Sequence, residues 1–154
     1  MTDRSNSTDL PLLDALWAAA ERPDAAFYTP GHKRGQGIAA TLRDRFGSAI
    51  FRADLPELPD LDNLFAPDGV IQAAQVLAAQ TFGATETWFL ANGSTSGIQA
   101  ALLATVGEGD RIIVPRNAHR CVIAGLILSG AMPMFVSPQL DEDWQLSTGV
   151  APHA

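Results

Sequence analysis

The sequence predicts an α/β fold with a parallel sheet, because strand-like and helix-like segments alternate along its second half. Three short apolar runs have the length and composition of buried strands, at 87–91, 111–115 and 131–136. Helices are predicted between them, at 95–106 and 119–129. This succession is typical of right-handed βαβ units. We therefore expect three parallel strands in a small open sheet with unpaired edges.

A helical segment is expected before the sheet. Residues 1–9 read as a polar tail, and Asp9 is expected to cap a helix over 10–21 with Pro11 in its first turn. Apolar side chains recur at helical spacing and predict its buried stripe: Leu12, Leu13, Leu16 and Trp17. A short helix is expected over 37–46.

The next stretch predicts an ordered loop and then another helix. Residues 54–68 contain three prolines, which exclude a long helix and disfavour a central strand. Asp68 is expected to cap a helix that runs through Phe82 and is closed by Gly83. The predicted organisation is a tail (1–9), a helical and loop segment (10–67) and the first part of a larger domain (68–154).

Charge and composition argue against several classes of protein. The formal net charge of −7 disfavours a nucleic-acid-binding protein, which usually carries a basic patch. No window reaches the roughly 18 apolar residues of a membrane span, and the polar start lacks the apolar stretch of a signal peptide. The single cysteine, Cys121, forms no disulfide within the chain, and no metal-ligand spacing is present. These features predict a cytoplasmic protein without a metal site.

One motif has the composition of a phosphate-binding turn. The residues at 92–97 read Asn-Gly-Ser-Thr-Ser-Gly and lie between a predicted strand and a predicted helix. A helix N-terminus offers unpaired N–H groups and the positive end of the helix dipole, while glycine allows close approach of an anion. The motif is neither a Walker loop nor a dinucleotide fingerprint. A serine cap in a tight turn is an equally good interpretation of these six residues.

Two further stretches place histidines where a ligand could bind. His119 follows the second predicted strand, at the strand end where open parallel sheets form their sites. Its imidazole could lie against an aromatic cofactor, although a helix-capping or surface histidine is the more frequent case. The stretch at 29–33, Thr-Pro-Gly-His-Lys, is a stiff loop that could contact a ligand or be an exposed basic loop.

Four stretches in order carry a resemblance to a known family. They are FYTPGHKRG at 27–35, DLPEL to LDNLF at 54–65, FLANGSTSGIQ at 89–99 and PRNAH at 115–119. The series resembles the major domain of the ornithine/lysine/arginine decarboxylases, which use pyridoxal 5′-phosphate (PLP). The resemblance extends from about residue 10 to the C-terminus. It implies a three-layer α/β/α fold with an incomplete, mostly parallel sheet of the PLP-dependent transferase large domain.

The resemblance also implies roles for particular residues. Ser94, Thr95 and Ser96 match the turn that binds the cofactor phosphate, and His119 matches the histidine that stacks on the pyridine ring. A second group, together with segment 61–65, is placed loosely near the active-site entrance or the dimer interface: Thr29, His32 and Lys33.

Two features depart from the family pattern. Cys121 stands where serine is more frequent, a change that we do not expect to disturb cofactor binding. The resemblance further implies a Schiff-base lysine and an aspartate that pairs with the pyridine nitrogen, both beyond the end of this chain. The only lysine is Lys33, which precedes the predicted sheet. We therefore expect an N-terminal part of a decarboxylase that has no catalytic residue of its own and is inactive alone.

The implied activity is decarboxylation of lysine, ornithine or arginine, which yields carbon dioxide and a polyamine-type amine. The complete enzyme is expected to be a cytoplasmic homodimer that binds neither nucleic acid nor membrane. One alternative is another PLP enzyme of the same fold, such as an aminotransferase or aldolase, against which the stretch at 29–33 counts. Another is a remnant or split subunit that binds a phosphate or a partner chain without catalysis.

Overall fold

The computed structural model describes residues 9–152, which form two compact units that divide between Phe89 and Leu90. Residues 1–8 of the tail predicted at 1–9 lie outside the described residues. The first unit contains helices α1 (Pro11–Ala20), α2 (Ala40–Phe46), α3 (Ala49–Arg52) and α4 (Val70–Phe82). The second contains α5 (Gly93–Thr105), β1 (Arg111–Pro115), α6 (Arg120–Ser129), β2 (Met132–Val136), β3 (Leu140–Asp141) and β4 (Leu146–Ser147). No helix between residues 9 and 152 has both the length and the apolar character needed to cross a membrane.

The second unit is built on the predicted βαβ arrangement. Strands β1 and β2 are parallel, with Val114 opposite Phe135, and α6 connects them. Val114, Leu126 and Ala131 form the buried cluster that packs α6 against one face of the sheet. On the other face Ile113 remains 63% exposed. The α/β class is therefore confirmed, with one helical layer on this sheet.

The predicted strand at 87–91 is not a strand in this structure. Trp88, Phe89 and Leu90 lie outside any helix or strand, and all three are partly exposed. A strand exists through the backbone hydrogen bonds of a neighbour, and the part of the chain that the structure describes offers this segment none. The parallel sheet consequently has two strands rather than three, and β3 and β4 form a separate short antiparallel hairpin that the sequence did not predict.

Helix α1 lies where the sequence predicts it but buries different residues. It packs against α4 and has Pro11 at its start. Ala19 and Ala20 are its buried residues. In the predicted stripe, Leu13 and Trp17 are 52% and 54% exposed, whereas Leu12 and Leu16 are half-buried. The 3.6-residue periodicity thus identified the helix, but contact with one neighbouring helix covers only part of its apolar side.

Three predicted helix starts in the first unit are corrected. Leu10, not Asp9, is the N-cap of α1, and no side chain caps it. Helix α2 begins at Ala40 rather than at 37, because Gly37 donates its N–H to the His32 carbonyl at 3.1 Å in a preceding turn. The short helix α3 was not predicted.

The predicted loop at 54–68 is confirmed, since it contains no helix or strand and buries Leu61.

The third correction concerns α4, whose first turn is held by Asp62 and not by Asp68. The buried Asp62 carboxylate accepts backbone N–H groups from five residues: Asn63 (2.7 Å), Asp68 (3.1 Å), Gly69 (2.8 Å), Ile71 (3.0 Å) and Gln72 (3.3 Å). Desolvation alone would raise the pKa of Asp62. The backbone donors outweigh it and lower this pKa far below its usual value. Gly83 closes α4 in the left-handed conformation, as predicted.

The division between Phe89 and Leu90 rests on contacts within the chain. It does not test the boundary at residue 68 that the sequence predicts for the larger domain, which stays a prediction.

Candidate functional site

The Asn-Gly-Ser-Thr-Ser motif forms the first turn of α5. The helix begins at Gly93, two residues before the predicted start, and Asn92 is an N-cap without a side-chain capping bond. Gly93 has a φ of 68°, a backbone conformation that glycine adopts without strain. The turn thus combines the start of a helix with a left-handed glycine.

The three hydroxyls of this turn differ in their surroundings. Ser94 and Thr95 are exposed, and their hydroxyls make no hydrogen bond to any residue between 9 and 152. Ser96 is half-buried, and its Oγ donates to the Gly93 carbonyl at 2.9 Å. The first N–H groups of a helix lack partners within it and lie at the positive end of its dipole. The arrangement is therefore suited to an oxyanion, with the first two hydroxyls as additional donors.

His119 is both a helix cap and an exposed ring. It is the N-cap of α6, where its Nδ1 accepts the backbone N–H of Cys121 at 3.2 Å. The Cys121 Sγ lies 3.1 Å from the same nitrogen. The side chain remains exposed to solvent. The capping interpretation that the sequence left open is thus observed, in a residue that remains exposed.

The starts of α5 and α6 lie at the same end of the second unit. A Cβ at Gly125 would lie 2.5 Å from Leu102 Cδ1, and one at Gly130 would lie 3.3 Å from Glu108 Cα, so the helices run side by side in the same direction. At 1.5 Å per residue, Gly93 is about 14 Å back from Leu102 and Arg120 about 8 Å back from Gly125. The turn at 92–96 and His119 therefore lie towards one end, which we call the rim.

The rim is also the carboxyl end of the parallel strands. Arg116 follows β1 directly and donates its N–H to the Val136 carbonyl, at the end of β2, at 2.9 Å. Its guanidinium lies 5.8 Å from the centroid of the Phe135 ring. Sequence reasoning passed over Arg116 as a separate contributor, although an arginine directly after a strand places a permanent positive charge at this edge.

The loop at 29–33 belongs to the first unit and is held internally. His32 Nε2 lies 3.0 Å from Asp54 Oδ2, and its Nδ1 accepts the Gly35 N–H at 3.0 Å. The ring also contacts Phe51 edge-on, with centroids 6.0 Å apart. Thr29 and Lys33 are exposed. The entrance or dimer-contact role of Thr29, His32 and Lys33 stays a prediction, and the observed contacts of His32 support the fold.

Arg34, next to this loop, has a structural role that the sequence analysis missed. Its guanidinium donates to the Tyr28 hydroxyl (2.6 Å), the Arg22 carbonyl (2.5 Å) and the Asp24 carboxylate (3.0 Å). The hydrogen bond from Arg34 lowers the pKa of Asp24 below its usual value. The residue type was a signal for this role, because arginine can donate to several acceptors in a fixed fork.

Two other features of the described residues bear on ligand binding. A cavity of about 470 Å³ is lined by α4 and by residues 84–88 of the first unit, and none of the predicted site residues lines it. Among residues 9–152 no cluster of three or more histidine, cysteine or carboxylate side chains could hold a metal ion. The predicted cofactor-binding residues Ser94, Thr95, Ser96 and His119 lie at the rim, since they begin α5 and cap α6.

Comparison with known proteins identifies the family. The family model described as "Orn/Lys/Arg decarboxylase, major domain" matches residues 10–154. An arginine decarboxylase of Bacillus subtilis is 38% identical over 142 residues, which cover 92% of this chain and 29% of the relative. An ornithine decarboxylase of Haemophilus influenzae is 35% identical over 133 residues, covering 82% of this chain and 18% of the relative. The solved structure of lysine decarboxylase A from Pseudomonas aeruginosa matches with a TM-score of 0.75 and 29% identity, covering 86% of this chain and 18% of that one.

The resemblance drawn from the four motifs is confirmed by these matches. The chain spans about a third of the Bacillus relative and less of the other two proteins. Because the family model matches nearly all of the described residues, the chain belongs to the Orn/Lys/Arg decarboxylase family and corresponds to part of its major domain.

Proposed function

We propose that this chain is part of a PLP-dependent decarboxylase of lysine, ornithine or arginine, in which the rim holds the cofactor. The observation that carries the proposal is the common end shared by the exposed hydroxyls of Ser94 and Thr95 and the exposed ring of His119. Membership of the decarboxylase family favours a decarboxylase over an aminotransferase or aldolase of the same fold.

The residues at the rim fit a phosphate monoester attached to an aromatic ring. The first turn of α5 offers backbone N–H groups and two hydroxyls that make no hydrogen bond elsewhere in residues 9–152. Arg116 adds a positive charge at the same edge of the sheet. A phosphate ester needs several donors and a positive field, whereas its ring needs a flat surface. His119 supplies that surface.

The chain's own residues bind and orient the cofactor, and they do not transform the substrate. When PLP is bound, its ring takes up the electron pair that remains as the substrate carboxylate leaves as carbon dioxide. Ser94 and Thr95 would fix one end of the cofactor through its phosphate. His119 would restrict the ring to one plane. These contacts determine how the substrate faces the protein.

The covalent attachment of the cofactor is not provided by this chain. Lys33 is the only lysine in the sequence, and it lies in the first unit, whereas the rim lies in the second. We infer that the complete enzyme is a cytoplasmic homodimer. Segments of that enzyme beyond this chain would supply the Schiff-base lysine and the aspartate that pairs with the pyridine nitrogen. The alternative is a non-catalytic remnant or split subunit that binds a phosphate through the same rim.

The first experiment separates cofactor binding from chemical labelling. The chain carrying Lys33→Arg, which removes the only lysine side chain, is titrated with PLP and with pyridoxal, which has no phosphate. We expect PLP to bind at least about tenfold more tightly than pyridoxal. Ser94→Ala with Thr95→Ala should reduce that difference severalfold, because the backbone N–H groups and Arg116 remain, whereas the exposed Thr85→Ala in the first unit should not change it. Equal binding of both compounds would remove the rim as the phosphate site.

The second experiment concerns activity. The chain with added PLP should release no carbon dioxide from lysine, ornithine or arginine. Release that disappears in Lys33→Arg would show that this lysine acts in catalysis and would overturn the proposed division of labour. Sequencing the DNA downstream of codon 154 then distinguishes a split enzyme, which has a second reading frame with the missing lysine, from a remnant. The product of the complete gene would distinguish a decarboxylase from an aminotransferase or aldolase.

A further inference from the structure

We propose that Cys121 is a positioning residue that fixes the imidazole of His119, in both its orientation and its tautomer. The inference rests on the proposed cofactor role of His119. It concerns a contact that the sequence analysis treated as a neutral departure. Both atoms involved lie in the second unit, at the start of α6.

The geometry around Nδ1 determines which nitrogen carries the proton of the neutral ring. The backbone N–H of Cys121 points at Nδ1 from 3.2 Å, so Nδ1 must be an acceptor. A proton on Nδ1 would face the proton of that N–H group. The neutral imidazole therefore carries its proton on Nε2, and the Cys121 thiol, 3.1 Å from Nδ1, is the donor of the second contact.

Burial gives the thiol a fixed position from which to act. Cys121 is 4% exposed, whereas the His119 side chain is exposed. The backbone N–H is held by the helix and the thiol by its buried surroundings, so two donors attached to one residue converge on one ring nitrogen. The ring turns about its Cα–Cβ and Cβ–Cγ bonds, and each donor held at Nδ1 opposes that rotation. Together they restrict its plane, which is what stacking on a cofactor ring requires.

The test compares three variants of the 154-residue chain. Cys121→Ser keeps a donor at the same place, Cys121→Ala removes the donor but leaves the backbone N–H, and Val122→Ala removes apolar volume from the same helix without touching His119. The readout is the ¹⁵N chemical shifts of the His119 ring, at a pH where imidazole is neutral. His119→Gln identifies the signals among the three histidines.

We expect the Nε2–H tautomer to dominate in the wild type, in Cys121→Ser and in Val122→Ala. In Cys121→Ala the minor tautomer should rise about threefold, the effect of one weak hydrogen bond. A wild-type ring with its proton on Nδ1 would overturn the proposal without any variant. An unchanged tautomer ratio in Cys121→Ala would also overturn it. If Cys121→Ala fails to fold, Cys121→Val, which fills the buried position without a donor, takes its place with the same expected rise of the minor tautomer.

A second readout connects the contact to the cofactor. PLP affinity should fall about threefold to tenfold in Cys121→Ala and stay within about twofold of the wild type in Cys121→Ser and Val122→Ala. If the wild type shows the expected tautomer but binds no PLP, the proposed function fails and the positioning contact stands. If PLP binds the wild type and Cys121→Ala equally, the positioning role fails and the proposed function stands.

Discussion

Two sets of polar motif residues, one in each unit, are used in opposite ways. In the first unit His32, Arg34 and Asp62 direct their polar atoms inward, to carboxylates, carbonyls and backbone N–H groups of the same unit. In the second unit Ser94 and Thr95 face solvent, and their hydroxyls bond no residue in the described range. The first set holds loops together, and the second set is available to a ligand.

This difference shows what a family motif does and does not reveal. The stretches around His32, Asp62 and Ser94 all contributed to the resemblance, and the sequence gives no reason to rank them. The contacts rank them, because a side chain whose donors and acceptors are satisfied internally is explained by folding. A polar group at a helix start without internal partners is explained better by a ligand. Measurements of stability test the first set of residues, and measurements of cofactor binding test the second.

The largest expected effect on stability comes from Asp62→Asn. In the wild type, the backbone N–H donors share two carboxylate oxygens. The asparagine amide offers them only one oxygen and places an NH₂ group, itself a donor, against the others. We expect the melting temperature to fall by about 10 °C and the amides of Ile71 and Gln72 to exchange faster with deuterium. The exposed Asp68→Asn, which changes the residue that the sequence favoured as the cap, should shift the melting temperature by less than about 2 °C. A larger effect from Asp68 would reverse our assignment.

The same carboxylate predicts a pH dependence. Its pKa is lowered in the folded state, so its contribution to stability is complete above the unfolded value of about 3.9 and is lost as pH falls through the folded value. The difference in melting temperature between wild type and Asp62→Asn should therefore be constant from about pH 5 upward and shrink below about pH 4. Melting curves of both proteins above about pH 5 and below about pH 4 measure this difference. A difference of unchanged size below about pH 4 would contradict the role of the Asp62 carboxylate.

Asp62 also shows where sequence reasoning stopped. The existence of α4, its end at Gly83 and the loop before it were predictable, because periodicity, glycine and proline act locally. The cap was not, because Asp62 reaches backbone groups up to ten residues away through a loop whose course depends on tertiary packing. Likewise, the strand at 87–91 had the right composition, but strand formation depends on a neighbour that the pattern does not supply.

For the rim the limit was similar. The sequence located the turn at 92–97 at a helix start and His119 after a strand, although the strand predicted before the turn is absent. It could not show which of the hydroxyls is already used, as that of Ser96 is, or that the neighbouring Cys121 contacts the imidazole. Those facts depend on side-chain direction, which residue type and spacing leave open.

The next effect in size is that of Arg34→Lys. A lysine keeps the charge but cannot reach Tyr28, the Arg22 carbonyl and Asp24 in one fixed geometry. We expect the melting temperature to fall by about 6 °C, with no change in PLP binding by the second unit. Arg45→Lys, at an exposed position on α2, is the matched control and should have almost no effect. A loss of PLP binding in Arg34→Lys would show that the two units do not divide their roles as we propose.

A smaller effect within the second unit separates tight packing from available space. A Cβ at either Gly125 or Gly97 would come within 2.5 Å of a leucine methyl, that of Leu102 or Leu90 respectively. Leu102 is 9% exposed and has little room to move, whereas Leu90 is 50% exposed. Gly125→Ala should lower the melting temperature by about 4 °C, and Gly97→Ala should leave it unchanged or raise it slightly through helix propensity. Equal losses would mean that Leu90 is as constrained as Leu102.

The smallest expected effect on stability, and the sharpest on binding, is that of His119→Asn. Asparagine is among the best N-cap residues, so it should preserve the start of α6 and change the melting temperature by less than about 2 °C. It removes the flat ring, so PLP affinity should fall about tenfold. His119→Ala should lose the ring and the cap together, with a melting temperature about 4 °C lower. If His119→Asn kept its PLP affinity, the imidazole would serve only as a helix cap. His119 would then belong with the side chains that hold the fold, and the contrast between the first unit and the rim would fail at this residue.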